Sequence, residues 1–273
     1  MKSKSKKIVG RFWKMYLCMS TPIGSLTTTI GKDRCVNDWF NSEAKIIKRD
    51  KYSRVGFVQE ENIGKIYIKH YSAKSWWHRI SMFFNQGRAG RSFKISDELL
   101  RNGISVPIPY ALITANGSFG LPDSSYYLCQ GLVKGKDFKS FYLSSDVKNS
   151  DLIKDRLQYI GRQLAGLHNC GYVHGDFKWS NIIFQGSKLF FVDLDNTSKI
   201  NSLDIEAKDL ARFILNAEEL MTDKTVFNYF MKAYRKSRKN ASINLMLRCK
   251  KDLEKLRNKH LVRYGNRGWR LID

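Results

Sequence analysis

Apolar residues recur at steps of three and four along residues 153–167, which predicts a helix with one buried face. Gly171 follows at a position where glycine commonly ends a helix. Two short apolar runs come next, at residues 182–184 and 189–192, and a turn around Gly186 separates them. Runs of this length on either side of a turn predict a β-hairpin. The order of these elements is therefore helix, polar loop and hairpin.

The first half of the chain is patterned differently, as strands around a helix. Residues 64–71 alternate in strand fashion, so that the isoleucines share one face and Lys69 lies on the other. A helix is predicted over residues 91–101, and strands are predicted over residues 110–113 and 126–129. Strands that precede a run of helices indicate an α+β protein.

The polar loop between the predicted helix and hairpin has the spacing of a phosphoryl-transfer site. His174, Asp176 and Asn181 match the pattern H-x-D-x-x-x-x-N, and Asp193 ends the hairpin. We expect Asp176 to orient the acceptor hydroxyl and Lys178 to contact the transferred phosphate. We expect Asn181 and Asp193 to hold Mg²⁺ while ATP supplies the phosphate. A buried His beside an Asp is more often structural, but the complete order of elements favours catalysis.

This arrangement predicts a two-lobed, protein-kinase-like α+β fold with a small antiparallel-sheet N-lobe and a mostly helical C-lobe. In such a fold Lys69 is the candidate for holding the ATP phosphates, and its alternative is an exposed strand lysine. Gln130 and Leu132 lie at the predicted hinge, where we expect backbone groups to contact the adenine. The loop over the phosphates is expected near Val55 and Gly56, although the sequence has no G-x-G-x-x-G there.

Charge changes this picture, because the chain of 273 residues has a formal net charge of +23, which indicates a polyanionic partner. Basic residues crowd the N-terminus together with Phe12, Trp13 and Tyr16, and this mixture is typical of an anionic membrane interface. Residues 232–273 contain fourteen Lys or Arg. A solvated helix face is the alternative for each lysine alone, but both clusters together favour an anionic surface.

Three parts are therefore predicted: a basic, aromatic segment over residues 1–40 that associates with membrane, a kinase-like N-lobe over residues 41–129, and a C-lobe with basic C-terminal helices over residues 130–273. The prolines and glycines of the uncharged stretch 102–122 argue against a regular spanning helix, and Arg11 interrupts any signal-peptide core. The five cysteines are odd in number and widely spaced, so we expect reduced cytosolic thiols.

The sequence resembles the lipopolysaccharide kinase family, which contains the inner-core heptose kinases and the Kdo kinase. The resemblance is carried by residues 66–69, 91–107, 167–181 and 192–195. It implies a cytoplasmic enzyme, peripheral on the cytoplasmic face of the inner membrane, that phosphorylates a Kdo or heptose hydroxyl with ATP and Mg²⁺. The implied partners are an anionic lipopolysaccharide core acceptor and an anionic membrane surface. Nucleic acid is not expected as a partner, and no protein partner is indicated.

The resemblance also concerns the brace of the loop and the partner of the strand lysine. Asp209 matches a family position that braces the catalytic loop from a following helix, and an ordinary surface acid is the alternative. Kinases usually pair the strand lysine with a helix glutamate, but Ser92 stands where relatives often have it. Asp97 or Glu98 replaces that glutamate only if the helix register differs. If neither does, Mg-ATP alone positions Lys69.

Two other functions stay open at this point. The first is a kinase of the same superfamily that acts on a protein or on another small molecule, although a charge of +23 argues against cationic aminoglycosides. The second, of another class, is an inactive kinase fold that binds nucleic acid or membrane. The presence of Lys69, Asp176, Asn181 and Asp193 argues against it, since silent relatives tend to lose at least one of these residues.

Overall fold

A computed structural model gives the chain as two compact units. The first unit comprises residues 1–101 and 106–133, and the second comprises residues 102–105 and 134–273. The first unit therefore runs past the predicted lobe boundary after residue 129 and includes the predicted hinge. The structure describes residues 6–10, 13–18, 30–31, 35–85, 87–117, 120–144, 151–200, 202–239, 243–265 and 269–272.

A seven-stranded sheet forms the centre of the first unit, and its strand pairs are antiparallel. In chain order the strands are β1 (Lys6–Val9), β2 (Trp13–Leu17), β3 (Lys45–Asp50), β4 (Ser53–Glu60), β5 (Gly64–Ser72), β6 (Pro109–Asn116) and β7 (Pro122–Gln130). In space the order is β1-β2-β6-β7-β5-β4-β3. The strands predicted over residues 64–71, 110–113 and 126–129 are the inner strands β5, β6 and β7.

Among the described residues, the helices of this unit are α1 (Val36–Glu43), α2 (Trp76–Asn85) and α3 (Gly87–Arg101). The two faces of β5 differ, as its alternation predicted. The isoleucines of β5 lie in a core that they share with Trp39 and Phe40 of α1. Lys69 lies on the opposite face, where α3 packs against the sheet.

The expected phosphate-covering loop at Val55 and Gly56 is wrong. Both residues lie inside β4, and the turn that precedes this strand consists of Lys51 and Tyr52. A Cβ at Gly56 would lie 2.9 Å from the carbonyl oxygen of Lys45, so glycine permits the close approach of β3 and β4. This glycine therefore has a packing role within the sheet.

Strands β1 and β2 of the N-terminal segment form one edge of the same sheet. Trp13, which we expected as a membrane anchor, is buried in the core together with Met15 and Leu17, so that expectation is wrong. Tyr16 is partly buried against the cluster that contains α3, and Phe12 lies outside the described residues. The membrane association of residues 1–40 stays a prediction, without Trp13 as an anchor.

The second unit is mostly helical, as predicted. Its helices are α4 (Phe138–Leu143), α5 (Asp151–Asn169), α6 (Leu203–Glu219), α7 (Lys224–Ser237) and α8 (Ile243–Tyr264). The long helices pack in pairs, α5 against α7 and α6 against α8. The helix predicted from the apolar steps of residues 153–167 is confirmed as α5. Among the described residues, no helix is both long enough and apolar enough to span a bilayer.

Short strands frame the loop between α5 and α6. They are β8 (Lys136–Asp137), β9 (Tyr172–Val173), β10 (Ile182–Gln185), β11 (Lys188–Phe191) and β12 (Ser198–Lys199). β10 and β11 form the predicted hairpin with β8 on its other edge, and β9 pairs with β12. Two 3-10 helices, Trp179–Asn181 and Leu194–Asn196, precede and follow the hairpin. The motif loop and the end of the hairpin therefore belong to one small structure.

Candidate active site

One buried carboxylate holds the motif loop. Asp209 of α6 accepts hydrogen bonds from the backbone N–H of His174 at 2.6 Å and from that of Gly175 at 2.8 Å. His168 of α5 lies 3.4 Å from the same carboxylate through its Nε2. The bracing position expected for Asp209 is therefore confirmed, and the alternative of a surface acid is wrong.

Gly175 lets the loop pass close to the segment that follows the hairpin. Its φ is +77°, and a Cβ there would lie 2.3 Å from the carbonyl oxygen of Asn196. Neither the backbone angle nor the space suits another residue. His174 Nε2 donates to the carbonyl of Val192 at 2.9 Å, and the hydroxyl of Thr197 donates to the carbonyl of His174 at 3.2 Å. These contacts join the motif loop to the end of the hairpin.

The two candidate metal ligands lie on this joined structure. Asn181 Nδ2 donates to the backbone carbonyl of Asp176 at 2.9 Å and to its carboxylate at 3.2 Å. The N–H of Val192 donates to the carbonyl of Asn181 at 3.0 Å. Asp193 follows Val192 in the chain, so this hydrogen bond links the backbone of the two candidate ligands. Asp193 has a left-handed φ of +64°, which is uncommon for residues other than glycine.

The donor chemistry of this pair fits Mg²⁺. An amide oxygen and a carboxylate are hard oxygen ligands, and Mg²⁺ usually binds one or two carboxylates together with substrate phosphates. Within the described residues, no group of three or more His, Cys, Asp or Glu side chains is placed to hold a metal ion. An Mg²⁺ ion at Asn181 and Asp193 would therefore need phosphate oxygens as further ligands.

Asp176 lies between two cations. Lys178 Nζ is 2.9 Å from its Oδ2, and Arg212 Nη1 is 2.6 Å from its Oδ1. Burial raises the pKa of Asp176, but the hydrogen bond and charge of Lys178 and the charge of Arg212 outweigh burial and lower the pKa overall. Asp176 is therefore ionised at neutral pH, as a carboxylate that orients a hydroxyl must be.

Arg212 was not among the predicted site residues. It lies on α6 three residues after Asp209, and residues at this spacing project from the same side of a helix. This spacing could have predicted Arg212 as a site residue. If Asp209 braces the loop, the residue one helical turn later also lies beside the loop. The side chain of Arg212 is 42% exposed while it bonds Asp176, so part of its guanidinium faces solvent.

Aromatic side chains support the loop from within the unit. Phe177 stacks on Phe213 with 5.3 Å between the ring centroids, and Trp179 contacts the same ring at 5.5 Å. Trp179 Nε1 donates to the carbonyl of Phe213 at 3.2 Å, and its backbone N–H donates to the side-chain oxygen of Asn216 at 3.0 Å. Buried residues thus alternate with Asp176 and Lys178, which leaves the two charged side chains on the open side of the loop.

A buried ionic cluster behind the loop was also missed by the sequence analysis. His168 lies 3.4 Å from both Glu206 and Asp209, and Glu206 pairs with Arg238 at 2.8 Å. The hydroxyl of Tyr234 donates to Glu206 at 2.7 Å. Burial lowers the pKa of His168, but its hydrogen bonds to Asp209 and Glu206 outweigh burial and raise the pKa overall. The members come from α5, α6, α7 and the residue that follows α7, so no local pattern connects them.

Lys69 lies in the first unit, on an inner strand of the sheet. It pairs with Val55 of β4 and with Tyr127 of β7. Burial raises the pKa of the Cys129 thiol to about 12, and the charge of Lys69 acts in the opposite direction. Ser96 of α3 shares a hydrogen bond of 2.8 Å with the hydroxyl of Tyr127. The lysine therefore occupies the face of the sheet that α3 covers.

The structure bears differently on the residues of α3 that were considered as partners of Lys69. Asp97 forms an ion pair with Arg101 at 2.8 Å, so it does not take the place of the usual glutamate. Ser92, where relatives often have that glutamate, is buried on α3. The pairing of Lys69 with Glu98 stays a prediction.

The predicted adenine contacts lie at the end of β7. The N–H of Gln130 donates to the carbonyl of Ile108 at 2.9 Å, and the N–H of Gly131 donates to the carbonyl of Lys65 at 2.8 Å. Both donors are therefore used within the first unit. The N–H of Leu132 donates to no residue that the structure describes, and its contact with adenine stays a prediction.

The predicted site residues thus divide between the units. The second unit brings together the catalytic and metal-binding candidates Asp176, Lys178, Asn181 and Asp193. The first unit holds the nucleotide-binding candidates Lys69, Gln130 and Leu132.

Comparisons with known sequences identify relatives of the chain. The model of the family described as lipopolysaccharide kinase (Kdo/WaaP) matches residues 37–234. The 3-deoxy-D-manno-octulosonic acid kinase of Vibrio parahaemolyticus is 25% identical over 152 residues, which are 55% of this chain and 58% of that protein. The match therefore spans less than two thirds of that relative. The KEOPS complex subunit Bud32 of Pyrococcus abyssi is 35% identical over 51 residues, which are 19% of this chain and 23% of that protein.

A comparison with solved structures concerns the fold. A structure of WaaP in complex with acyl carrier protein is similar with a TM-score of 0.60 and 15% sequence identity. The similarity covers 92% of this chain and 99% of that chain. It confirms the predicted protein-kinase-like fold.

Proposed function

Because the chain belongs to the lipopolysaccharide kinase (Kdo/WaaP) family, we propose that it transfers the γ-phosphate of ATP to a sugar hydroxyl in the inner core of lipopolysaccharide. One observation carries the proposal: Asp176 is an ionised carboxylate held beside Asn181 in the H-x-D-x-x-x-x-N loop. Phosphoryl transfer depends on such fixed positioning more than on covalent chemistry by the protein.

Each candidate residue has one role in the proposed reaction. Asp176 accepts the hydrogen bond of the acceptor hydroxyl, aims its oxygen at the γ-phosphorus and takes up its proton. Lys178, whose side chain is 41% exposed, contacts the transferred phosphate. Asn181 and Asp193 hold Mg²⁺, which neutralises phosphate charge when bound. The nucleotide is held by the candidates of the first unit, Lys69, Gln130 and Leu132.

The charges around Asp176 favour an anionic acceptor. Lys178 and Arg212 flank its two oxygens, and the whole chain has a net charge of +23. This field attracts a glycan that bears carboxylates and phosphates, and it repels cationic aminoglycosides. The acceptor we propose is a Kdo or heptose residue of the lipopolysaccharide core, held at the cytoplasmic face of the inner membrane.

Transfer of labelled phosphate from ATP tests the proposal. The purified protein is given Mg-ATP with lipopolysaccharide core, an aminoglycoside or a protein extract in parallel reactions. We expect label in the core acceptor alone, and roughly 10³-fold less of it with Asp176→Ala, because the acceptor hydroxyl loses its base. Binding of ATP by this variant is expected to survive, since Asp176 contacts the acceptor.

The matched control is Asp155→Ala, which removes an exposed carboxylate of α5 outside the candidate site. We expect this variant to transfer phosphate like the wild type. Label found only in protein, or transfer undiminished in purified Asp176→Ala, would contradict the proposal.

A further inference from the structure

Helix α2 carries its apolar stripe on the outside. Trp76, Trp77, Phe83 and Phe84 are between 48% and 78% exposed. At about 100° per residue, these four side chains and the half-buried Ile80 fall within an arc of about 120° on the helix. A helix of a soluble domain normally turns such a stripe towards the core, so the orientation of α2 needs another explanation.

The side of α2 opposite to the stripe is the one that joins the helix to its unit. Met82 is 1% exposed and packs at Gly87, the first residue of α3. The helix contacts α3 and β7. Phe83 and Phe84 meet edge to face with 5.4 Å between their ring centroids. The aromatic residues therefore share one side of the helix, and two of them are in contact, unlike the single apolar side chains that are common on protein surfaces.

The chain around the patch is basic. Residues 62–96 contain seven Lys or Arg and no acidic residue. Arg79 belongs to α2 itself, and Lys74 precedes the helix by two residues. Lys14 of β2 extends to the patch, where its Nζ lies 5.7 Å from the ring centroid of Phe83. The apolar stripe thus has cations at its borders.

We propose that the aromatic stripe of α2 inserts into the surface of an anionic lipid bilayer. Tryptophan favours the bilayer interface, where one part of its ring is apolar and its N–H meets water. Lys14, Lys74 and Arg79 contact lipid phosphates, because an anionic leaflet attracts basic residues close to it. Charge complementarity favours the bilayer as the partner, since an apolar protein surface has no negative charge for these cations to contact. The proposal adds to the proposed kinase function and is measured without phosphate transfer.

Co-sedimentation of the full chain with vesicles tests this surface. Vesicles of phosphatidylcholine with about 30% phosphatidylglycerol are compared with vesicles of phosphatidylcholine alone. We expect the wild type to prefer the anionic vesicles. The double variant Trp77→Glu/Phe84→Glu is expected to bind the anionic vesicles at least roughly tenfold more weakly than the wild type, because it removes the two most exposed rings of the stripe.

The matched control is Ile243→Glu/Val262→Glu, which makes the same change of charge at apolar residues of α8 that are 82% and 90% exposed. We expect it to bind vesicles like the wild type. Both double variants are expected to keep the wild-type melting temperature, because their positions are exposed. Lys74→Gln/Arg79→Gln is expected to lose much of the preference for anionic vesicles.

Three results would overturn the proposal. In the first, Trp77→Glu/Phe84→Glu would bind vesicles as well as the wild type does. In the second, both double variants would lose binding equally. In the third, the wild type would bind a soluble acidic protein and no vesicles. Transfer to a water-soluble core acceptor is measured on the same samples. Normal transfer without vesicle binding counts against this surface alone, whereas vesicle binding without transfer counts against the kinase proposal alone.

Discussion

The two units hold their candidate residues in different ways. In the second unit the motif loop is bonded to Asp209, stacked through Phe177 and packed tightly at Gly175. In the first unit Lys69 stands on a regular inner strand, and Val55 and Gly56, which were expected in a phosphate-covering loop, lie inside β4. The catalytic half depends on special backbone geometry, whereas the nucleotide half depends on side chains of an ordinary sheet.

This difference decides what a sequence reveals about each half. A loop with unusual backbone angles restricts residue types at several positions at once, and their spacing is then recognisable. A lysine on a strand restricts one position, and many strands expose a lysine. The motif around Asp176 was therefore specific, while Gly56 was assigned to a loop that is in fact a strand.

Two glycines provide the sharpest test of this comparison. Gly175→Ala places a Cβ 2.3 Å from the carbonyl oxygen of Asn196 at a φ of +77°, so the loop has to move. We expect transfer to fall by roughly 10²-fold or more, because a small displacement of the catalytic group is costly. Gly56→Ala, at 2.9 Å from the carbonyl oxygen of Lys45, is expected to cost about 1–2 kcal/mol of stability.

Steady-state kinetics and urea unfolding of both variants separate these effects. The KM for ATP is expected to stay within about twofold of the wild type in Gly56→Ala, because this glycine packs β4 against β3. A large rise of that KM at unchanged stability would return Gly56 to the nucleotide and remove the contrast between the units.

Local spacing accounts for most of what the sequence predicted, and long-range pairing accounts for what it did not. Helix α5, the hairpin and the strand of Lys69 all follow from patterns within about ten to fifteen residues. Glu206 and Arg238 are far apart in the chain and meet only after α6 and α7 are in place. Trp13 pairs with Ala115 across the sheet, so its burial also depends on a distant strand. Trp13 alternates with Met15 and Leu17 as in a strand, but the basic residues of the N-terminus favoured a membrane interface instead.

Two buried histidines, His70 of the first unit and His168 of the second, are expected to respond to pH in opposite directions. Burial, aided by the charge of Arg54, lowers the pKa of His70 in the first unit from 6.5 to about 4. The unfolded chain then binds the proton first, so stability is lost as the pH falls from 6.5 through about 4. In the second unit the pKa of His168 is raised above 6.5, so its contribution is complete below pH 6.5 and is lost as the pH rises through the raised pKa.

Urea unfolding as a function of pH measures the two contributions. The wild type is expected to lose up to about 3 kcal/mol of unfolding free energy to His70 as the pH falls below 6.5, and His70→Gln is expected to lack this loss. His168→Gln is expected to lower stability most below pH 6.5 and to flatten the dependence above it. Each variant is the control for the other, because both replace a buried histidine with the same residue. Equal slopes in the two variants would show that the two histidines do not differ in this respect.

The smallest of these effects is expected at Arg212, where the catalytic half also depends on a side chain. Its charge helps to keep the pKa of Asp176 low, so Arg212→Gln raises that pKa. The acidic limb of the pH profile of kcat/KM then moves to higher pH, since Asp176 has to be ionised. The KM for the anionic core acceptor is expected to rise roughly fivefold, with the KM for ATP unchanged.

Arg212→Lys is expected to restore the acidic limb, and Lys208→Gln, which removes an exposed charge on the same helix, is expected to change neither quantity. A raised KM for ATP with an unmoved acidic limb would instead assign Arg212 to the nucleotide, and the catalytic half would then share the side-chain dependence of the first unit.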